Sequence, residues 1–318
     1  MSRQEGFRLA VAQPSVGEDR PEESRVLDST AMIREAAEAG AELLLFPESY
    51  PGPITAGLGF DAGPEIAAAC KDAGIAACWG RVEPSGDGRH FTVVHLTDRN
   101  GRRAGRYVRS HPATGDVHPV LSGAPMAPGP ALGVFVLGGL RFGVVVCSEL
   151  WNPEICRVLA LRGCEILLAP AGGGFHRVAG NWQLLARARA VENECFVGLT
   201  QQLFGDEAGS ALIAGPEGVL ASGAGSGLLV ADLDLGRARW LRSNDDSMQQ
   251  PKPFSSLPGL LRARRPELYR ELGEQSDGLY DYEEASRQSQ TAKPNREGCG
   301  PKHSHRDRKH NEIEDSAK

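Results

Sequence analysis

Short apolar runs with strand character recur through the first 235 residues: FRLAVAQ (7–13), ELLLFPES (42–49), AACWGRVE (76–83), FTVVHLTD (91–98), LRFGVVVCS (140–148), CEILLAPAG (164–172), CFVGLTQQ (195–202), SALIAGP (210–216) and GLLVADLDL (227–235). Between them, apolar residues return at helical spacing, which predicts helices near 21–39, 63–73, 152–162 and 180–194. In the first of these, Val26, Leu27, Ile33 and Ala37 share roughly one face, and Gly40 supplies a stop. Strand and helix alternating in this way indicate an α/β architecture with a mixed sheet. Two turn signals, Asp98-Arg-Asn-Gly101 and Gly215-Pro-Glu-Gly218, read as hairpins, which a purely parallel sheet would not contain.

The pattern fades after about Arg242. A helix-like piece, LPGLLRARRPELYREL (257–272), precedes a stretch from Gly273 to Lys318 that is rich in Ser, Asp, Glu, Lys and Gln. Such a stretch buries too little apolar area to offset its ordering entropy. The chain therefore divides into a domain at 1–245, a helical extension at 246–272 and a tail at 273–318 expected to be disordered.

Composition narrows the function classes. At 318 residues and 41% apolar, the chain can bury a substantial core. No apolar run approaches the roughly 20 residues of a spanning helix, so no membrane is expected as a partner. A net charge of −6 argues against nucleic acid, which needs a basic face. The opening MSRQEGFRLAVAQ has no apolar leader segment, and seven scattered cysteines fit reduced thiols better than a disulfide framework, so a cytoplasmic protein is expected. No metal motif stands out: the histidines of KHSHRDRKHN (302–311) read as a solvated tail. Lys71 is the only lysine before Lys252, which limits the candidates for a catalytic amine.

The most informative residue is Cys147, at the end of the apolar run LRFGVVVCS and ahead of a helix. Strand ends are where open α/β folds collect ligands, and a thiol there becomes a nucleophile when a neighbouring base removes its proton. The Ser148 backbone N–H, just past the thiol, could contribute to an oxyanion site. Glu149, Trp151 and Pro153 would shape the wall beside the sulfur, and Gly172 to Gly174 would let a substrate approach the backbone closely.

Six segments in order carry a resemblance to the nitrilase-like carbon-nitrogen hydrolases: ELLLFPES, GRYVRSHP (105–112), CSELWNPEICRVLALRGCEILLAP (147–170), NWQLLARARAVENECFVGLTQQ (181–202), SALIAGPEGVLASG (210–223) and ADLDLGRARWLR (231–242). The resemblance covers about residues 7 to 242. It implies a four-layer α-β-β-α sandwich of the nitrilase type, here followed by the disordered C-terminal tail, and pairing into homodimers or higher homo-oligomers through helices. It also implies a triad without metal or organic cofactor, in which Glu48 is the base and Cys147 the nucleophile. Arg109 stands where the family carries its catalytic lysine, and Ser122 where many members carry a second glutamate that buttresses that lysine. Arginine keeps the charge but not the compact ammonium or its capacity for proton transfer. Asp116 and His118 in the same loop could supply an acid or base instead.

These residues point to cysteine-dependent hydrolysis of a small-molecule amide or carbamoyl substrate in preference to a nitrile, by Glu48, Arg109 and Cys147. Two alternatives remain: amide-forming acyl transfer, and a binding or regulatory subunit whose catalysis has lapsed. A dinucleotide-dependent oxidoreductase is disfavoured because no GxGxxG follows the first strand.

Overall fold

A computed structural model describes residues 4–17, 20–113, 124–173, 175, 178–244, 261–274 and 279–291. In chain order the first half contains β1 (Gly6–Gln13), β2 (Ser15–Val16), α1 (Ser24–Glu38), β3 (Leu43–Leu45), α2 (Gly63–Ala73), β4 (Ala76–Pro84), β5 (His90–Thr97) and β6 (Arg103–Val108). The second half contains β7 (Gly133–Leu137), β8 (Leu140–Val144), α3 (Pro153–Leu161), β9 (Ile166–Pro170), α4 (Ala179–Asn193), β10 (Phe196–Thr200), β11 (Leu203–Phe204), β12 (Ala211–Gly215), β13 (Gly218–Gly223), β14 (Gly227–Asp234) and α5 (Leu235–Ser243). Beyond these lies one more helix, α6 (Tyr282–Thr291).

Two six-stranded sheets form, in the orders β14-β1-β3-β4-β5-β6 and β13-β12-β10-β9-β8-β7. Each has a parallel centre flanked by antiparallel strands: β1, β3 and β4 run parallel in one, and β8, β9 and β10 in the other. The expected mixed sheet is thus two mixed sheets. Both turn signals lie in hairpins, β5–β6 and β12–β13. Three separate cores account for the layering. Leu9, Val11, Leu43 and Leu45 of one sheet meet Phe142, Val144, Ile166 and Leu168 of the other. Ile33 and Ile66 of α1 and α2 cover the outer face of the first sheet, and Ile155, Leu159 and Trp182 of α3 and α4 cover that of the second. Strands buried on both faces read as continuous apolar runs, which is why LLL and ILLAP show no alternation. The result is the α-β-β-α sandwich.

Local signals set the helix ends. Pro64 lies in the first turn of α2, where its missing N–H costs nothing, and Gly74 closes that helix in the left-handed region at φ 71°. Asp234 caps α5 by accepting from the Arg237 N–H at 2.8 Å. The strand-like run 227–235 is therefore a strand to Asp234, and a helix follows at once.

The C-terminal region departs from expectation. Among its described residues, 261–272 forms two short 3-10 turns, Pro266–Leu268 and Arg270–Leu272, where a longer helix was expected. Pro266 cannot donate to a preceding turn and ends any helix there. Within the C-terminal tail, the described residues include α6, a helix packed on the body with Ser286 and Ser289 buried. Its docking rests on polar contacts, which an argument from apolar content cannot foresee.

Candidate active site

Strand ends bring the candidate residues together. Beyond β3, the Phe46 N–H donates to Cys78 O at 2.8 Å, and the Glu48 N–H donates to Ala171 O, beyond β9, at 3.2 Å. Glu48 therefore stands where the two sheets meet at the C-terminal ends of their parallel strands, the usual ligand edge of such folds. Arg109 follows β6 and is 1% exposed. Its Nη1 donates to Glu48 Oε1 at 2.8 Å, its Nη2 to Ser148 Oγ at 2.6 Å and its Nε to the His111 carbonyl at 3.0 Å. Cys147 follows β8 at φ 50° and opens a 3-10 turn, Cys147–Trp151. A non-glycine residue held in the left-handed region carries backbone strain of the kind that gathers at functional sites.

The guanidinium thus spans Glu48 on one side and the residue adjoining Cys147 on the other. Cys147 is partly exposed, whereas Cys70, Cys78, Cys156, Cys164 and Cys195 are buried. Burial pushes the thiols of Cys70 and Cys195 up to about 12 and that of Cys164 to about 11, so these resist forming thiolates. Lys71 is exposed near the end of α2.

Glu149, expected in the pocket wall, is fully buried instead. Its Oε1 accepts from Tyr107 Oη at 2.7 Å, from the Ser110 N–H and Oγ at 2.8 Å each and from the His111 N–H at 3.0 Å. Its Oε2 accepts from the Val146 N–H at 2.8 Å. Burial raises this carboxyl, but the hydrogen bonds of His111, Tyr107 and Val146 and the charge of Arg109 outweigh it and hold it below the usual carboxylate range. Glu149 thereby ties the strand end carrying Arg109 to the turn carrying Cys147.

Trp151 is 42% exposed and packs edge-on against Trp182, with ring centres 5.8 Å apart. Pro153 is exposed at the start of α3. Gly172 borders the carboxylate: a Cβ there would lie 3.1 Å from Glu48 Oε2. Ser122, Asp116, His118, Gly174 and the histidines of 302–311 lie outside the described residues.

Sequence reading did not single out Tyr107, Ser110, His111 or Gln202. The first three sit in the quoted GRYVRSHP run, where three hydroxyl or imidazole side chains at a strand end were the available signal. Gln202 ends the run CFVGLTQQ, is buried, and donates from Nε2 to the Glu48 carbonyl at 2.8 Å. A strand-like run closing on two amides is the only trace of it in the sequence. Among the described residues no group of three or more His, Cys, Asp and Glu side chains could hold a metal ion, and no helix is long and apolar enough to cross a membrane.

Comparison with known proteins supplies the family. Residues 8–243 match the family model of carbon-nitrogen hydrolases. Human omega-amidase NIT2 is 24% identical over 266 residues, covering 77% of this chain and 95% of the relative. A hydrolase in the pqqF 5' region of Pseudomonas protegens is 30% identical over 253 residues, covering 73% and 81%. Among solved structures, an amidase from Nesterenkonia sp. is 25% identical with a TM-score of 0.63, covering 84% of this chain and 96% of that one. A carbon-nitrogen hydrolase from Helicobacter pylori, at 19% identity and a TM-score of 0.71 over 85% of this chain and 99% of its own, shares the fold. With that match across most of the chain, the protein belongs to the carbon-nitrogen hydrolase family and is an enzyme of the amidase and nitrilase type.

Proposed function

We propose that this chain hydrolyses the carbon–nitrogen bond of a small amide or carbamoyl substrate through a thioester on Cys147. The observation that carries the reading is the buried Arg109 guanidinium, hydrogen-bonded to Glu48 at 2.8 Å and to Ser148 at 2.6 Å. It places fixed positive charge against the Glu48 carboxylate and beside the residue next to the thiol.

In the first half-reaction Glu48 takes the Sγ proton of Cys147 and the sulfur adds to the carbonyl carbon. Arg109, with the Ser148 backbone N–H, holds the negative charge that develops on oxygen. The C–N bond then breaks as Glu48 returns the proton to the departing nitrogen, leaving a thioester. In the second, Glu48 takes a proton from water, the hydroxyl adds to the thioester carbon, and the C–S bond breaks to release a carboxylic acid and restore the thiol. An amine in place of water would give acyl transfer instead. Amides are favoured over nitriles because similar proteins include an omega-amidase and a solved amidase. The catalytic unit corresponds to 1–245, followed by an extension at 246–272 and a tail at 273–318.

One observation favours a second reading, a binding or regulatory subunit without catalysis: Arg109 stands where the family resemblance places a lysine, and its guanidinium nitrogens are held by Glu48, Ser148 and the His111 carbonyl. Leu184 and Val191, exposed on α4, fit pairing of two copies through that helix, and the six free cysteines among the described residues fit a reducing, cytoplasmic compartment.

Alkylation separates the two functional readings. With iodoacetamide at mildly acidic pH, mass spectrometry is expected to find Cys147 modified selectively, with the selectivity lost in Glu48→Gln. Slow labelling of Cys147 at the rate of the buried cysteines would favour the non-catalytic subunit.

A further inference from the structure

The helix α6 is polar and ten residues long, too short to persist in water by itself. Its contacts hold it on the body. Tyr282, Ser286 and Ser289 follow i, i+4, i+7 spacing along one face, with Ser286 and Ser289 buried. Ser286 Oγ donates to the Met126 carbonyl at 2.8 Å, and Glu283 pairs with the buried Arg89 at 2.9 Å. Gln290 Nε2 donates to the Asp87 carbonyl at 2.5 Å. Beside it Gly88 sits at φ 87°, and a Cβ there would come within 2.5 Å of the same nitrogen. These anchors press the Tyr282 ring edge-on against His111, with centres 5.6 Å apart at 84°. Tyr280 braces Tyr282 from another side at 4.8 Å.

His111 matters because its carbonyl is the acceptor for Arg109 Nε at 3.0 Å. Lysine has no donor equivalent to Nε, so this contact exists only because position 109 is arginine. A long planar cation with three hydrogen-bonded nitrogens needs its third acceptor held still if the other two are to stay on Glu48 and Ser148.

We propose that Tyr282 is a positioning residue, acting through His111 to fix the Arg109 guanidinium at the active site. The proposal rests on the hydrolytic reading for its consequence in catalysis, but not for its geometry. It makes the C-terminal helix and the arginine one device: the helix steadies an acceptor that only the arginine uses.

The full-length protein with ¹⁵N-labelled arginine gives a readout independent of turnover. The Arg109 Nε–H signal is assigned by its loss in Arg109→Lys, and its exchange with solvent is measured beside steady-state amide hydrolysis. Tyr282→Ala, and separately Glu283→Lys, which repels Arg89 and undocks the helix, are each expected to speed that exchange about tenfold or more. They are also expected to lower kcat about tenfold with little change in KM. Tyr282→Phe, which keeps the ring, restores both, and Tyr282→Ala causes no further loss in the Arg109→Lys background. Unchanged Nε–H exchange in both variants, or an undiminished loss of kcat in the Arg109→Lys background, would overturn the proposal. A responsive Nε–H in a chain that hydrolyses no amide supports the positioning and overturns the hydrolytic reading alone.

Discussion

Glu48 and Arg109 form an ion pair of 2.8 Å with only 13% and 2% of their side chains exposed. A pair so enclosed is sensitive to the shape of the cation as well as its charge, because the nitrogens of the guanidinium also reach Ser148 and the His111 carbonyl. One ammonium cannot meet all three acceptors. Although lysine is the residue the family resemblance leads one to expect, Arg109→Lys is expected to lower kcat/KM by about 10 to 100-fold. Steady-state kinetics on a small amide would check this, and a lysine variant as fast as the parent would count against it.

Gly172 is expected to tolerate no side chain. A methyl there would lie 3.1 Å from Glu48 Oε2 and shift the carboxylate by a few tenths of an ångström. Gly172→Ala should lower kcat about tenfold or more while the melting temperature stays near that of the parent, since small misplacements of reacting groups are costly. Unaltered kinetics would place the carboxylate elsewhere during turnover.

Acid stability follows from two carboxylates. Burial raises Glu83, but hydrogen bonds and charges from His95 and Arg106 prevail and bring it from 4.5 to about 2. Glu149 is held below its usual value in the same sense. Both are depressed in the folded chain, so the stability they contribute is complete above about pH 4.5 and is lost as pH falls through their folded values. Urea unfolding between pH 5 and pH 2 should show this decline, and Glu83→Gln should flatten part of it. A slope unchanged in that variant would remove Glu83 from the explanation.

Leu184, 65% exposed on α4, is expected to lie in a contact between two copies. Leu184→Arg should shift the sedimentation coefficient toward that of a monomer, provided the parent sediments as a dimer; a monomeric parent would refute the pairing.

The sequence made the strand and helix order legible because buried strands and amphipathic helices leave different periods. Gly40 and the Asp98–Gly101 turn punctuated it at the right places. Strand β7 escaped notice because Gly133–Leu137 is short and its hairpin turns on Gly138 and Gly139, a pair that reads equally well as a loop. Cys147 and Glu48 were singled out as candidate chemistry at strand ends, and Arg109 as a departure from a pattern. What the arginine touches could not be read, because hydrogen-bond partners 39 and 61 residues away depend on how two sheets meet. How Glu149 is held could not be read for a related reason: a carboxylate two residues from the candidate thiol can face the pocket or the interior, and only the five donors around it decide. Docking of α6 was hidden because its anchors are serines and charged residues, which by composition favour solvent.

Acid-quenched mass spectrometry of the protein mixed with a small primary amide tests the chemistry most directly. A transient adduct of the acyl mass on Cys147 is expected, formed together with ammonia, absent in Cys147→Ala and strongly reduced in Glu48→Gln. Ammonia release without any acyl adduct in the parent, and equal release by Cys147→Ala, would contradict a thioester at this sulfur.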